Sequence, residues 1–172
     1  MSIREIVIQH EWDGTPLIEE RWIYLSVIEM DIGMKLEVDA PFYSNPAPES
    51  FPNSLVGSWE LWNYEVVELF LVGDNGHYTE VEVGPHGHHL ILRLDAPRSI
   101  IDKEHPMIWK STIEGSRWKG EGFILNAVLP DRIDRINAFG IATINGERKY
   151  SSYTPLPGPK PDFHQPHRFT LW

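Results

Sequence analysis

The 172-residue sequence contains no cysteine. That absence excludes disulfide staples and all thiolate chemistry, whether nucleophilic or metal-ligating. Basic residues are few beside acidic ones: 15 Lys and Arg against 25 Asp and Glu give a formal net charge of -10. A nucleic-acid partner requires clustered cations for its phosphates, so this balance argues against one. The one modestly basic stretch, Lys160 to Arg168, is broken by prolines and Asp162 and reads as a solvated loop. No apolar run approaches the length of a membrane span, and Met1 to Gly14 lack the uninterrupted apolar core of a secretory signal. The expected setting is cytoplasmic, with no membrane partner. A G-x-S-x-G elbow, an H-E-x-x-H helix and a phosphate-cradling glycine loop are missing too. Helical periodicity is lacking; only Pro130 to Ile136, opened by proline, suggests a turn or two of helix.

What the chain does have is aromatic residues and short strands. Seven Trp, six Tyr and seven Phe accompany a hydrophobic content of 41%, which argues for a packed core and against disorder. The length suits one domain spanning residues 1–172. Strand signals recur at Glu5–His10, Trp22–Ile28, Met34–Ala40, Glu65–Val72, His77–Gly84 and His88–Leu94. They continue at Ile108–Glu114, Gly122–Leu129, Ala138–Asn145, Lys149–Tyr153 and Arg168–Trp172. So many short strands separated by turn signals predict an all-β fold, an antiparallel β-sandwich of jelly-roll type. Nine of the fourteen prolines fall within residues 41–52 and 155–166. Such stiff loops either frame a binding mouth or cap sheet edges.

The most informative stretch runs from Leu61 to Gly87. With a period of two, Val67, Leu69 and Leu71 share one strand face, while Trp62, Tyr64, Glu68 and Phe70 share the other. Gly73-Asp74-Asn75-Gly76 is a hairpin signal. A loop over Gly73 to His77 pairs Val72 with Tyr78, Phe70 with Glu80 and Glu68 with Glu82, placing the last two Cβ atoms about 4.5–5.5 Å apart. Carboxylates that close need a shared proton, a basic neighbour, a cation or a ligand rich in hydroxyls. Aromatic rings on the same face match the C–H surface of a sugar while the acids accept from its hydroxyls. The face is therefore expected to be a concave, open cradle for a small carbohydrate.

The run Trp62 to Leu71 resembles the central motif of family 9 carbohydrate-binding modules, in which a Trp is followed six residues later by a Glu within a strand. Trp118 to Phe123, Phe139 to Ala142, Ser151 to Pro155 and Asp162 to His164 with Phe169 are similar to later landmarks of that family, in the same order. The resemblance implies a ligand clasped between two aromatic side chains, with a Glu reading hydroxyls. On the matching positions these are Trp62, Tyr153 (where the family carries Trp) and Glu68, with Asn145 near a further polar position. Glu82, near a position where the resemblance implies a basic residue, and Arg148 assist; Tyr64 and His86 line the wall. Leu61 to Leu71, Glu80 to Leu92 and Lys160 to His164 also resemble an uncharacterised family that includes the product of a human chromosome 4 open reading frame. That resemblance implies the same fold and no named activity.

The same residues bear on other chemistries. Pro85-His86-Gly87-His88-His89 suggests metal binding, but His86 and His88 share a face only if the strand runs straight through Gly87. No cofactor is predicted, with calcium or zinc as the alternatives. Glu68 and Glu82 have the spacing of a retaining glycosidase pair, yet neighbours on one sheet face approach a sugar from the same side instead of flanking its bond. No catalytic residue is assigned. The alternatives to sugar binding are acid–base catalysis on a sugar-like substrate, using Tyr64, His86 or Glu82, and a protein-interaction module.

Overall fold

The computed structural model describes residues 2–172, and its strands form two antiparallel sheets. The first sheet has the order β1 (Ile3–Ile8), β3 (Ile23–Met30), β4 (Gly33–Pro41), β10 (Arg117–Leu125) and β9 (Trp109–Glu114). The second runs β2 (His10–Glu11), β12 (Glu147–Ser152), β11 (Ile133–Ile144), β5 (Val66–Gly73), β6 (Tyr78–Val83), β7 (His89–Ala96) and β8 (Ser99–Asp102). A short β13 (Thr170–Leu171) pairs with Arg135 and Ile136 of β11. Helix among the described residues is confined to three-residue turns, and none is long and apolar enough to cross a membrane. The fold is the all-β sandwich expected from the strand pattern.

Alternation explains the core. Ile6, Leu25, Val27 and Leu36 point inward from the first sheet and meet Val67, Leu69, Leu71, Val81 and Val83 from β5 and β6. Trp109 and Trp118 close one end of this layer, with ring centroids 6.3 Å apart. Their fit requires glycine opposite: a Cβ on Gly120 would lie 2.2 Å from the Trp109 ring. The Trp109 indole also donates to the Gly84 carbonyl at 2.9 Å, tying the two sheets together.

The second sheet has a second apolar layer on its outer face. Leu61, Phe70, Val72, Tyr78, Leu90, Leu92, Phe139, Ile141, Leu156 and Phe169 pack there beneath the C-terminal chain. Every residue of β5 and β6 is therefore buried, as in strands covered on both sides. The open cradle expected from the sequence is narrowed, because the C-terminal chain covers part of this face and leaves a half-open cleft. The two proline-rich segments also part company. Residues 155–166 lie over the outer face. Residues 41–52 are tied to the start of β5, because Glu65 accepts hydrogen bonds from the backbone N–H groups of Tyr43 and Asn45.

The expected helical turn over Pro130 to Ile136 is not formed. Residues from Ile133 onward enter β11, where ladders to β5 on one flank and to β12 and β13 on the other outweigh an isolated helical turn. A turn of 3₁₀ helix occurs earlier, at Asn126–Val128. Strand β8 gave no signal in the sequence analysis, and β10 starts five residues before the expected Gly122.

Candidate ligand-binding cavity

The floor of the site follows from the β5–β6 register. Glu68 faces Glu82 and Phe70 faces Glu80, as the hairpin loop over Gly73 to His77 requires. Gly73 closes that loop by donating to the His77 carbonyl at 2.7 Å. Two glutamates one pleat apart on β6 and one across from them on β5 thus share the outer face. Glu68, Glu80 and Glu82 are 2%, 4% and 0% exposed. One carboxylate oxygen from each lies within 4.8 Å of the others.

Chain far away in sequence supplies the roof. Phe163 stacks on Phe139 of β11 with centroids 3.9 Å apart and rings nearly parallel. That stack carries Pro161, Asp162 and His164 over the glutamates. Trp62, in the turn Leu61–Asn63, approaches from the other side and packs edge-on against Trp59 at 5.0 Å. Arg148 of β12 fixes this turn by donating from its guanidinium to the carbonyls of Trp62 and Tyr64. The half-open space is about 360 Å³, lined by Trp62, Glu68, Glu80, Tyr150, Phe163 and His164, with Leu92 and Leu94 along one wall. Small-molecule sites commonly hold about 300–1,000 Å³. At the rim, Arg98 pairs with Asp162 at 2.7 Å.

Burial governs the charge. Loss of water pushes the Glu80 carboxyl up to about 7. Glu68 is raised well above the usual carboxylate range by burial and then by the charge of Glu80, with Arg148 acting the other way. Glu82 is raised by burial and by both neighbouring acids. Ionised, Glu82 finds no hydrogen-bond partner for either oxygen, and Glu80 Oε2 finds none either. Protonated, Glu82 can donate to Glu80, which favours charge on Glu80. His164 is held down to about 4, chiefly by burial, and is neutral at physiological pH. Its Nδ1 is 2.6 Å from the Tyr78 hydroxyl, and its Nε2 is 4.0 Å from Glu80 Oε2. The cavity therefore offers acids that can both donate and accept, a neutral imidazole and aromatic walls.

The residues anticipated from sequence divide into two groups. Trp62, Glu68, Glu82 and Arg148 converge here, with Glu82 in the floor behind Glu80 and Arg148 behind the Trp62 turn. Tyr64 packs on the apolar layer beside the cavity. Tyr153 does not face Trp62: it lies beyond the end of β12 and packs against the inter-sheet core. Tyr150, three residues earlier, lines the cavity. Asn145 is exposed at the tip of the β11–β12 hairpin, where Asn145 and Gly146 both have positive φ, 51° and 79°. His86 sits in the Gly84–His88 turn, 3.3 Å from the Asn45 carbonyl and edge-on to Phe42. His88 and His89 are likewise engaged with separate carbonyls, of Ser50 and His105. The turn at Gly87, with φ of 85°, keeps the three imidazoles from sharing a face.

Sequence reasoning placed Glu80 on this face but assigned it no role, and it did not assign Tyr150, Phe163 or His164 to the sugar site. Parity along β12 was the available signal for Tyr150, since Arg148 and Tyr150 alternate onto one face. Asp162-Phe163-His164 stood out only as a motif.

Fold and cavity together define a two-sheet antiparallel β-sandwich with an acid-floored cleft on the outer face of one sheet. The chain belongs to the UPF0462 family. It is 37% identical over 166 residues to the mouse UPF0462 protein C4orf33 homolog, covering 92% of this chain and 85% of that one. To human UPF0462 protein C4orf33 it is 34% identical over 165 residues, covering 91% and 81%. No family model matches the sequence. Among solved structures, a candidate carbohydrate-binding protein from Bacteroides uniformis superposes with a TM-score of 0.66 at 14% identity, covering 98% of this chain and 85% of that one. At such identity the likeness shows the fold alone.

Proposed function

We propose that the cavity binds a small carbohydrate, either a monosaccharide or the end of a sugar chain. One observation carries the reading: buried carboxyl groups and aromatic rings line the same half-open cleft of about 360 Å³. Trp62 and Tyr150 offer ring faces to the apolar side of a sugar, and Glu68 and Glu80 read its hydroxyls. Acids near neutral pH suit alternating hydroxyl donors and acceptors better than acids fully ionised. The carbohydrate-binding description of the Bacteroides uniformis protein of the same fold supports the reading.

Binding is tested by tryptophan fluorescence and calorimetry across a panel of neutral, amino and acidic monosaccharides and disaccharides. Saturable quenching by at least one sugar is expected. Trp62→Ala and Glu68→Gln are each expected to weaken it by about tenfold or more, the loss of one stacking or charge-assisted contact. A flat response across the panel removes the proposal.

A second reading has one observation in its favour. Glu80, at about 7, has the proton affinity of a general acid or base and stands beside a neutral imidazole. Turnover of a glycoside or uronate that is lost in Glu80→Gln would turn the binding site into an active site.

A further inference from the structure

We infer that Glu68, Glu80 and Glu82 form the binding site for one divalent cation of the hard, oxygen-preferring class, calcium or manganese. Three features of the floor lead there. The carboxylate oxygens lie within 4.8 Å of one another, and a cation with bonds of about 2.1–2.5 Å holds opposed ligands about 4.2–5 Å apart. The second feature is independent of that clustering. Held ionised, Glu82 is 0% exposed with no donor to either oxygen, and Glu80 Oε2, equally shielded, has none either. A buried acid without a donor costs several kcal/mol unless something neutralises it, and among the described residues no Lys or Arg forms an ion pair with any of the three. The third feature is access: Glu68 and Glu80 line the cavity, so an ion can enter and keep positions open toward it.

Donor chemistry selects the class of ion. All three ligands are carboxylates on paired strands, a set that suits calcium or manganese, whereas zinc favours nitrogen and sulfur. His164 lies outside the three-carboxylate set, near Glu80 alone. The open positions face the space assigned to the sugar, where adjacent hydroxyls would complete the coordination shell. That last clause rests on the proposed function; the ion site itself does not.

The test uses the metal alone. Full-length protein is stripped with chelator and titrated with manganese, with free ion followed by electron paramagnetic resonance. Calcium and zinc retention are measured by elemental analysis after gel filtration. The expected result is one equivalent of manganese or calcium, with binding weakened at least about tenfold in Glu82→Gln and in Glu80→Gln and unchanged in Glu114→Gln on the exposed face of β9. Gln keeps the shape and removes the charge, so both variants are expected to fold, checked by circular dichroism. Retention of no ion, retention of zinc alone, or equal binding by the Gln variants overturns the inference. Sugar binding that survives chelator would overturn the shared coordination by sugar hydroxyls while leaving the carbohydrate reading intact. An ion bound without any sugar response would remove the carbohydrate reading and leave the ion site standing.

Discussion

Strands β5 and β6 present two faces made from alternate residues of the same few turns of chain. Val67, Leu69, Leu71, Val81 and Val83 face the first sheet and do nothing but pack. Glu68, Phe70, Tyr78, Glu80 and Glu82 face the other way and are as thoroughly buried. A fold needing only stability would repeat the inner face on the outer one, because well-packed apolar residues at such positions are usually at least as stable as buried charges. The outer face departs from that pattern at three adjoining positions beside a cavity. The proposed sugar or ion would restore the balance that packing alone leaves open.

The comparison breaks most severely on the inner side. Leu69→Ala removes a fully buried side chain between the sheets and is expected to cost about 2–5 kcal/mol in chemical denaturation. Protein that remains folded should bind sugar as the wild type does, since the deletion lies beneath the sheet.

On the outer side the expected signature is pH dependence. Glu80 titrates at about 7 in the folded chain against an ordinary value of 4.5. A raised carboxyl stabilises the fold fully below the unfolded value and loses that contribution as pH climbs through the folded one. In chelator, stability should therefore fall as pH rises from about 5 to about 8. Glu68 and Glu82 shift in the same direction. Urea unfolding at the two pH values checks this, and Glu80→Gln should flatten the difference. A wild-type stability that rises with pH would contradict the assignment of these acids as protonated.

The smallest expected effect sharpens the comparison between two tyrosines. Tyr150→Ala should weaken sugar binding roughly fivefold, about 1 kcal/mol, the scale of one aromatic contact. Tyr153→Phe should leave affinity unchanged, because that ring belongs to the inter-sheet core.

These contrasts also show what the sequence makes legible. A hairpin signal at Gly73 to Gly76 and strict alternation suffice to pair Glu68 with Glu82, since both are local and geometric. The roof is not local. Phe163 reaches Phe139 through ring stacking between loop and strand, and no periodicity announces such a contact. Tyr153 was misplaced although alternation along β12 was available: Arg148, Tyr150 and Ser152 share the outer face, so the next residue, Tyr153, falls on the inner one. For Asn145 the signal was available: Asn-Gly between two strands marks a hairpin tip, far from the cleft.

The most direct measurement is a crystal structure of the protein soaked with the sugar that quenches its tryptophan fluorescence most strongly. The account predicts a sugar ring against Trp62 and Tyr150, with hydroxyls about 3 Å from the carboxyl oxygens of Glu68 and Glu80. Sugar bound elsewhere on the molecule, with this cavity empty at saturating concentration, would contradict it.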